Sequence, residues 1–137
     1  MLKGGARLAG LRVVMDAAPH IALGSLGESL ARTTLEQHGY AILATRYRTR
    51  FGEIDIVSEH AGMLVFVEVK ARRGPEGSAV DAISPAKRRR VASMALDYMA
   101  WMRKLDTPCR FDVVAIDRIG TDAMTIRVIE DAWVMDG

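Results

Sequence analysis

Cysteine is almost absent from this sequence, because Cys109 is the only one among 137 residues. No disulfide can form within the chain, so the cysteine content implies no oxidising compartment, and we expect a cytoplasmic protein. A catalytic thiol is an alternative role for Cys109. Its position beside Pro108, just before a predicted strand, favours a structural role instead.

Three other features are missing. The histidines, His20, His38 and His60, are scattered and show no zinc-ligand spacing. No apolar run reaches the roughly 18 residues that a membrane span needs, so we expect no membrane partner. No Gly-rich phosphate loop of the Walker or dinucleotide-binding type is present. The sequence therefore gives no support for a zinc site, a membrane anchor or a nucleotide-binding loop.

An excess of charge of one sign is also missing, since the formal net charge is only +2. The positive charge is concentrated locally, and such clusters matter more than the total for binding nucleic acid. The clusters comprise Arg46, Arg48 and Arg50; Lys70, Arg72 and Arg73; and Lys87, Arg88, Arg89 and Arg90. Phosphate contacts and solvated basic faces are equally good interpretations of any one cluster.

The length of the chain fits one domain with one hydrophobic core. We place this domain at residues 23–137. Residues 1–22 are expected to form an N-terminal extension, either disordered or lying on the surface as a helix. A signal peptide is disfavoured, because Arg12 and Asp16 interrupt the apolar region and no convincing cleavage site follows.

Hydrophobic periodicity predicts a helix, three strands, a second helix and two further strands. The first helix covers residues 25–38, and the second begins at Pro85 with Ser84 as its N-cap. Strands are predicted over 40–47, 52–59, 63–70, 110–117 and 125–130. This order indicates a single-domain α/β protein with a central mixed β-sheet flanked by helices.

Two packing expectations follow from the same patterns. Residues 72–81 are rich in turn residues and long enough to form a mobile flap just beyond Lys70. The second helix is expected to bury one stripe of side chains, consisting of Val91, Met94, Ala95, Tyr98, Met102 and Leu105.

The third strand carries two charges where burial is expected. Its residues are nearly all apolar, yet Glu68 and Lys70 share one face with Phe66, because alternate residues on a strand point the same way. A hairpin loop of two or four residues would bring Asp55 onto that face as well. Facing carboxylates repel one another unless a cation lies between them, and Mg²⁺ prefers such oxygen ligands. Lys70 could hold a water molecule or a phosphate oxygen beside them.

Two further charged residues have open interpretations. Lys87 lies on the buried stripe of the second helix, in a first turn where a cation opposes the helix dipole. Its side chain either reaches toward the carboxylates or a bound phosphate, or extends to solvent, and we weigh these equally. Glu28 lies in the first turn of its predicted helix, and its spacing alone favours a simple dipole interaction.

Five segments, in this order, resemble one protein family. They are Gly27-Glu28, Gly39-Tyr40, Gly52-Glu53-Ile54-Asp55, Val65-Phe66-Val67-Glu68-Val69-Lys70 and Arg110-Phe111-Asp112-Val113-Val114. The set looks like the YraN-like uncharacterised protein family, from about Leu23 to the C-terminus. The spacing of Asp55 and Glu68-x-Lys70 also resembles the active-site signature of the PD-(D/E)XK nuclease superfamily. The YraN-like family is a branch of that superfamily similar to archaeal Holliday-junction resolvases.

The resemblance implies a restriction endonuclease-like fold and a Mg²⁺- or Mn²⁺-dependent endonuclease that acts on branched DNA, with RNA the less favoured substrate. It implies that Asp55 and Glu68 bind the metal with the main-chain carbonyl of Val69, and that Lys70 orients the attacking water. It also turns Glu28 toward the metal. Junction resolvases cut two strands symmetrically, so a homodimer would fit, although no stripe in the sequence identifies an interface.

Two alternatives to an enzyme remain open at this point. A binding module could keep the nuclease fold and hold branched nucleic acid without cutting it. A purely structural protein could use Glu68 and Lys70 as a salt bridge on one face of the strand. For the enzyme and for the binding module, the expected phosphate-contacting residues are Arg46, Arg48, Arg50, Arg72, Arg73, Lys87, Arg88 and Arg89.

Overall fold

Five strands and two long helices follow one another in the predicted order in a computed structural model, which describes residues 19–135 and the side chains of residues 24–135. The helices are α1 (Pro19–Gln37), a single turn α2 (Ser78–Asp81) and α3 (Pro85–Trp101). The strands are β1 (Ala41–Thr49), β2 (Gly52–His60), β3 (Met63–Ala71), β4 (Cys109–Asp117) and β5 (Thr125–Trp133). The expected extension, residues 1–22, lies outside the described part except for the first turn of α1.

The strands form one mixed sheet in the order β1-β2-β3-β4-β5. Strands β3 and β4 are parallel, and the other neighbours are antiparallel. Helix α1 covers one face of the sheet and α3 covers the other, each with its own buried cluster. This confirms the predicted α/β class. None of the helices in the described residues is long and apolar enough to cross a membrane.

Strand β3 is central and is buried on both faces, which explains its nearly continuous apolar sequence. Val65 and Val67 pack in the α1 cluster, whereas Leu64 and Phe66 pack in the α3 cluster. The alternation continues along the strand, so Glu68 lies on the α3 face. The face predicted for Glu68 from the sequence is therefore confirmed.

A two-residue turn joins β2 to β3. His60 pairs with Met63, and the turn residues Ala61 and Gly62 have φ values of 53° and 77°. Positive φ at both central positions is the geometry that matches the twist of a hairpin. This turn sets the register in which Ile56 lies opposite Val67.

Helix α3 begins as predicted but ends earlier. The Lys87 backbone N–H donates to Ser84 Oγ at 3.1 Å, and Pro85 occupies the first turn. Four members of the predicted stripe, Val91, Met94, Ala95 and Tyr98, are buried. The prediction is wrong for Met102 and Leu105, which are 41% and 59% exposed, because the helix stops at Trp101 and Arg103 turns back with a φ of 58°.

The predicted flap is tied to the sheet. The buried carboxylate of Asp117, at the end of β4, accepts hydrogen bonds from the backbone N–H groups of Gly77 (3.1 Å) and Ala79 (2.8 Å). The Arg118 N–H also donates to the Gly74 carbonyl at 2.9 Å. Residues 74–79 are therefore held against β4, and the expectation of a mobile flap is wrong for them.

A buried polar network joins α1's C-terminal end to β4. Asp112 is fully buried and accepts two hydrogen bonds from Arg110, at 2.8 and 2.7 Å, and one from Tyr40 at 2.6 Å. The Asp131 N–H also donates to Asp112 at 3.0 Å, and the His60 ring stacks on the Tyr40 ring. Arg110 and Asp112, two residues apart on β4, therefore form a buried ion pair.

We expect Asp112→Asn to lower the free energy of unfolding by about 3–5 kcal/mol, because it leaves the Arg110 guanidinium buried without its ion pair. Urea unfolding of the purified protein measures this change. Glu36→Gln is the control, since it removes a half-exposed pair with Arg32 and should cost less than about 1 kcal/mol. A similar effect of both substitutions would contradict the assignment.

Candidate metal and nucleic-acid site

Strand β2 separates from β3 at Asp55. The last pair between them joins Ile56 and Val67, whereas β2 stays paired with β1 as far as Gly52. The Val69 N–H donates to Asp55 Oδ2 at 2.8 Å, so a side-chain oxygen replaces a backbone acceptor where the ladder ends. The register also brings Asp55 across from Glu68. The hairpin thus places the two predicted carboxylates together.

Residues 47–54, which we call the β1–β2 arm, extend beyond the last β2–β3 pair and pack on α3. Ile56 belongs to the α1 cluster and Ile54 to the α3 cluster, although residues two apart on a regular strand share a face. Tyr47 packs edge-on against Tyr98 of α3, with ring centroids 4.9 Å apart. The change of direction occurs at Asp55 and its β1 neighbour Arg46, which has a φ of 52°.

The two carboxyl groups resist ionisation. Burial raises the pKa of Asp55, and the hydrogen bond from Val69 opposes that rise. Glu68 is only 4% exposed, and burial together with the nearby Asp55 raises its pKa to about 7. Two acids placed this way repel each other when both are ionised, which is a reason for a cation to bind between them.

Lys87 supplies the cation closest to Glu68. Its Nζ lies 3.5 Å from Glu68 Oε2, so the lysine whose orientation the sequence left open does reach the carboxylate pair. Lys70 is half-buried on the same face of β3 and lowers the pKa of Glu68 less than Lys87 does. A Glu68–Lys70 salt bridge was the premise of the purely structural alternative, and Glu68 instead pairs with Lys87.

A cavity of about 150 Å³ opens beside Asp55 on the α1 side of the sheet. Asp55, Val69, Glu28 and Arg46 are among the residues that line it, and Glu28 Oε1 lies 4.0 Å from Arg46 Nη1. Glu68 does not line this cavity. Glu28 is half-exposed, so its carboxylate lies near Asp55 without joining the buried pair.

The donor set suits a metal that keeps part of its water shell. In the described part of the chain, no group of three or more His, Cys, Asp or Glu side chains is close enough to hold a metal ion. Asp55 and Glu68 supply two carboxylates, and Asp55 and Val69 line the cavity, whereas Glu68 does not. Mg²⁺ usually binds proteins through one or two carboxylates plus water and substrate phosphate. The residues present therefore fit Mg²⁺ or Mn²⁺, with Glu28 outside direct reach of the pair.

The predicted phosphate-contacting arginines fall into two groups. On the β1–β2 arm and beside it they are paired: Arg46 and Arg48 with Glu53, and Arg50 with Asp97 of α3. Beyond β3 and on α3, Arg73 and Arg89 make no side-chain hydrogen bond or ion pair within residues 24–135. Arg72 donates to its neighbouring carbonyl, and Arg88 lies half-buried over Trp133.

Sequence reasoning missed part of the cavity wall. Ser29, Arg32 and Thr45 line the cavity beside Asp55 and were not predicted to belong to a site. Arg32 follows Glu28 by four residues, a spacing that places both on one helix face and could have identified it. Thr45 lies opposite Ile56, a pairing that depends on the register of β1.

Comparison with known proteins gives one consistent result. A sequence profile of the uncharacterised protein family UPF0102 matches residues 27–116. A UPF0102 protein of Symbiobacterium thermophilum is 41% identical over 112 residues, covering 81% of this chain and 95% of its own length. UPF0102 proteins of Geobacter metallireducens and Shewanella sp. (strain ANA-3) are each 48% identical, covering 69% of this chain and 78% and 88% of their own lengths. The matched region contains Glu28, Asp55, Glu68, Val69, Lys70 and Lys87.

We expect the stability difference between wild type and Glu68→Gln to depend on pH. The pKa of Glu68 is raised from its ordinary value near 4.5 to about 7 in the folded protein, so the folded state binds its proton more tightly. The unfolding free energy of the wild type should therefore fall between about pH 5 and 8, by about 2–3 kcal/mol relative to Glu68→Gln.

Urea unfolding in EDTA across this pH range measures the difference. Glu59→Gln, which changes an exposed acid on β2, is the control and should give a difference that does not change with pH. A constant difference for Glu68→Gln would contradict the raised pKa.

Proposed function

The chain belongs to the YraN-like uncharacterised protein family UPF0102, and on that basis we propose that it is a Mg²⁺-dependent endonuclease. Its substrate would be DNA in preference to RNA, with selection for branched or junction structures. The observation that supports this proposal best is the pair formed by the half-buried Asp55 and the buried Glu68, which lie close together where β2 leaves β3. Two neighbouring acids with raised pKa values in a half-open site are a common sign of a functional site.

The roles of the residues follow from their positions. Asp55 and Glu68 would hold the metal with the Val69 carbonyl, and Glu28 would contribute through water. When bound, Mg²⁺ would stabilise the charge that develops on the phosphate and position the substrate. Lys70, which is half-buried at the end of β3, would orient the attacking water and help to remove its proton.

The surroundings favour recognition of phosphates over bases. The basic side chains near the site lie on loops, on a strand arm and in the first turns of α3, and none is part of a recognition helix in a groove. Phosphate contacts position a protein on nucleic acid without reading its sequence. We therefore infer little sequence preference and selection by the shape of the DNA.

A binding module without catalysis is the second candidate. The pairing of Lys87 with Glu68 favours this candidate, because a carboxylate that is already neutralised by a lysine can stabilise the fold without binding a metal. Both candidates predict binding of nucleic acid, and they differ in metal-dependent turnover.

We expect wild-type protein with Mn²⁺ or Mg²⁺ to cut a four-way DNA junction faster than its component duplexes. Asp55→Asn should lose the cutting and also the rise in melting temperature that metal causes. In the wild type, metal at a hundredfold excess over its Kd should raise the free energy of unfolding by about 2.7 kcal/mol. Lys70→Met should keep that rise and lose most of the cutting, because Lys70 serves the water. Gel assays and thermal unfolding with and without EDTA measure these changes.

Failure of the wild type to cut any DNA or RNA, with metal-dependent stabilisation intact, would favour the binding module. Equal melting temperatures in EDTA and in millimolar Mn²⁺ would contradict the metal site itself.

We expect Arg72→Gln with Arg73→Gln to flatten the salt dependence of DNA binding by about two units of log–log slope, one for each lost phosphate contact. The loss should be similar for all sequences. Arg48→Gln with Arg50→Gln is the matched control, because these side chains are paired with Glu53 and Asp97 and should change the slope less. Fluorescence anisotropy at several salt concentrations measures the slopes. Equal slopes for the two double variants would contradict this assignment.

A further inference from the structure

Lys87 occupies a position that helix energetics disfavour. It lies in the first turn of α3, where the backbone dipole repels a cation, and its own N–H is used by the N-cap Ser84. Pro85 and this cap fix the start of the helix, so Lys87 is placed by a rigid element. A lysine held here needs a compensating interaction.

The compensating interaction is with Glu68. Lys87 Nζ lies 3.5 Å from Glu68 Oε2, and the side chains are 28% and 5% exposed. An ion pair with one member buried is much less screened than one on the surface, and removing its cation leaves a charge that is costly to keep dry. Lys87 also acts on Asp55, so it serves both carboxylates.

Resting on the function proposed above, we propose that Lys87 is a mobile counter-ion of this site: it balances Glu68 in the metal-free protein, gives Glu68 up to a divalent cation, and then contacts a phosphate of the bound DNA. The same ammonium cannot neutralise Glu68 and leave it free to bind a metal. Its four-carbon stem lets the charge move while α3 stays fixed. Lys87 is a positioning residue in the first state and a substrate contact in the second.

The experiment compares Lys87→Met with Arg89→Gln, which removes one positive charge from the same helix at an exposed position without a partner. All proteins carry Lys70→Met so that DNA stays intact. The first readout is Mn²⁺ affinity at pH 8.5 by calorimetry. Lys87→Met should bind Mn²⁺ about five- to tenfold more tightly than its parent, because a competing cation is gone. Arg89→Gln should leave the affinity unchanged.

The second readout is the salt dependence of junction binding with Mn²⁺ and with EDTA. Lys87→Met should flatten the log–log slope by about one unit in Mn²⁺ and leave it unchanged in EDTA. Arg89→Gln should flatten it equally in both. Lys87→Arg, which keeps the charge, should behave as the parent in both readouts. Lys87→Gln, which removes the charge but stays polar, should behave as Lys87→Met and replaces it if Lys87→Met does not fold.

Unchanged Mn²⁺ affinity in Lys87→Met, or the same slope change with and without metal, would overturn the proposal. Mn²⁺ binding by Lys87→Arg that is as tight as the binding by Lys87→Met would also overturn it. A parent protein that binds no Mn²⁺ would refute both this proposal and the metal site. Neither readout uses cleavage. If the protein without Lys70→Met binds Mn²⁺ and DNA but does not cut, the proposed nuclease activity is refuted, and the role of Lys87 is still decided by the two readouts above.

Discussion

The hydrogen bond from the Val69 N–H to Asp55 is the interaction on which the rest of the site depends. A strand that leaves its neighbour exposes backbone donors, and a buried donor without an acceptor costs about 1–3 kcal/mol. Asp55 supplies the acceptor from its side chain, so β2 can turn away without that loss. The β1–β2 arm is then free to pack on α3, and Asp55 and Val69 are left beside a cavity.

The charge balance of the site comes from another element. Two carboxyl groups at the edge of a buried strand are tolerated because their pKa values rise and because α3 brings Lys87 to Glu68. A cation on the same strand would be fixed relative to the acids, whereas one on a helix side chain can be exchanged for another ligand. The acids are therefore placed by strands, whereas their counter-ion is the end of a long helix side chain, which is the arrangement that the proposed exchange with a divalent cation requires.

The sequence predicted the parts of this structure that follow from local rules. The alternation of side chains along a strand predicted the face on which Glu68 lies, and Ser84-Pro85 predicted where α3 begins. Both features depend only on residues that are close in the sequence. The end of α3 was not predictable in the same way. Met102 and Leu105 continue the apolar spacing, but the left-handed backbone at Arg103 interrupts it. The anchoring of residues 74–79 by Asp117, about forty residues later, has no local signal either.

Long side chains explain why charge clusters in the sequence gave only part of the site. Arg46, Arg48 and Arg50 read as one basic track, yet their guanidinium groups reach Glu53 and Asp97 and hold the arm to itself and to α3. Their positive charges are therefore paired with carboxylates of the protein itself, although each exposed pair of this kind stabilises the fold only weakly. The unpaired positive charge lies instead at the end of β3 and along the first turns of α3, around the carboxylate pair. A phosphate backbone drawn to that charge would approach from the α3 side, on which Glu68, Lys70 and Lys87 lie, whereas the cavity beside Asp55 opens on the α1 side.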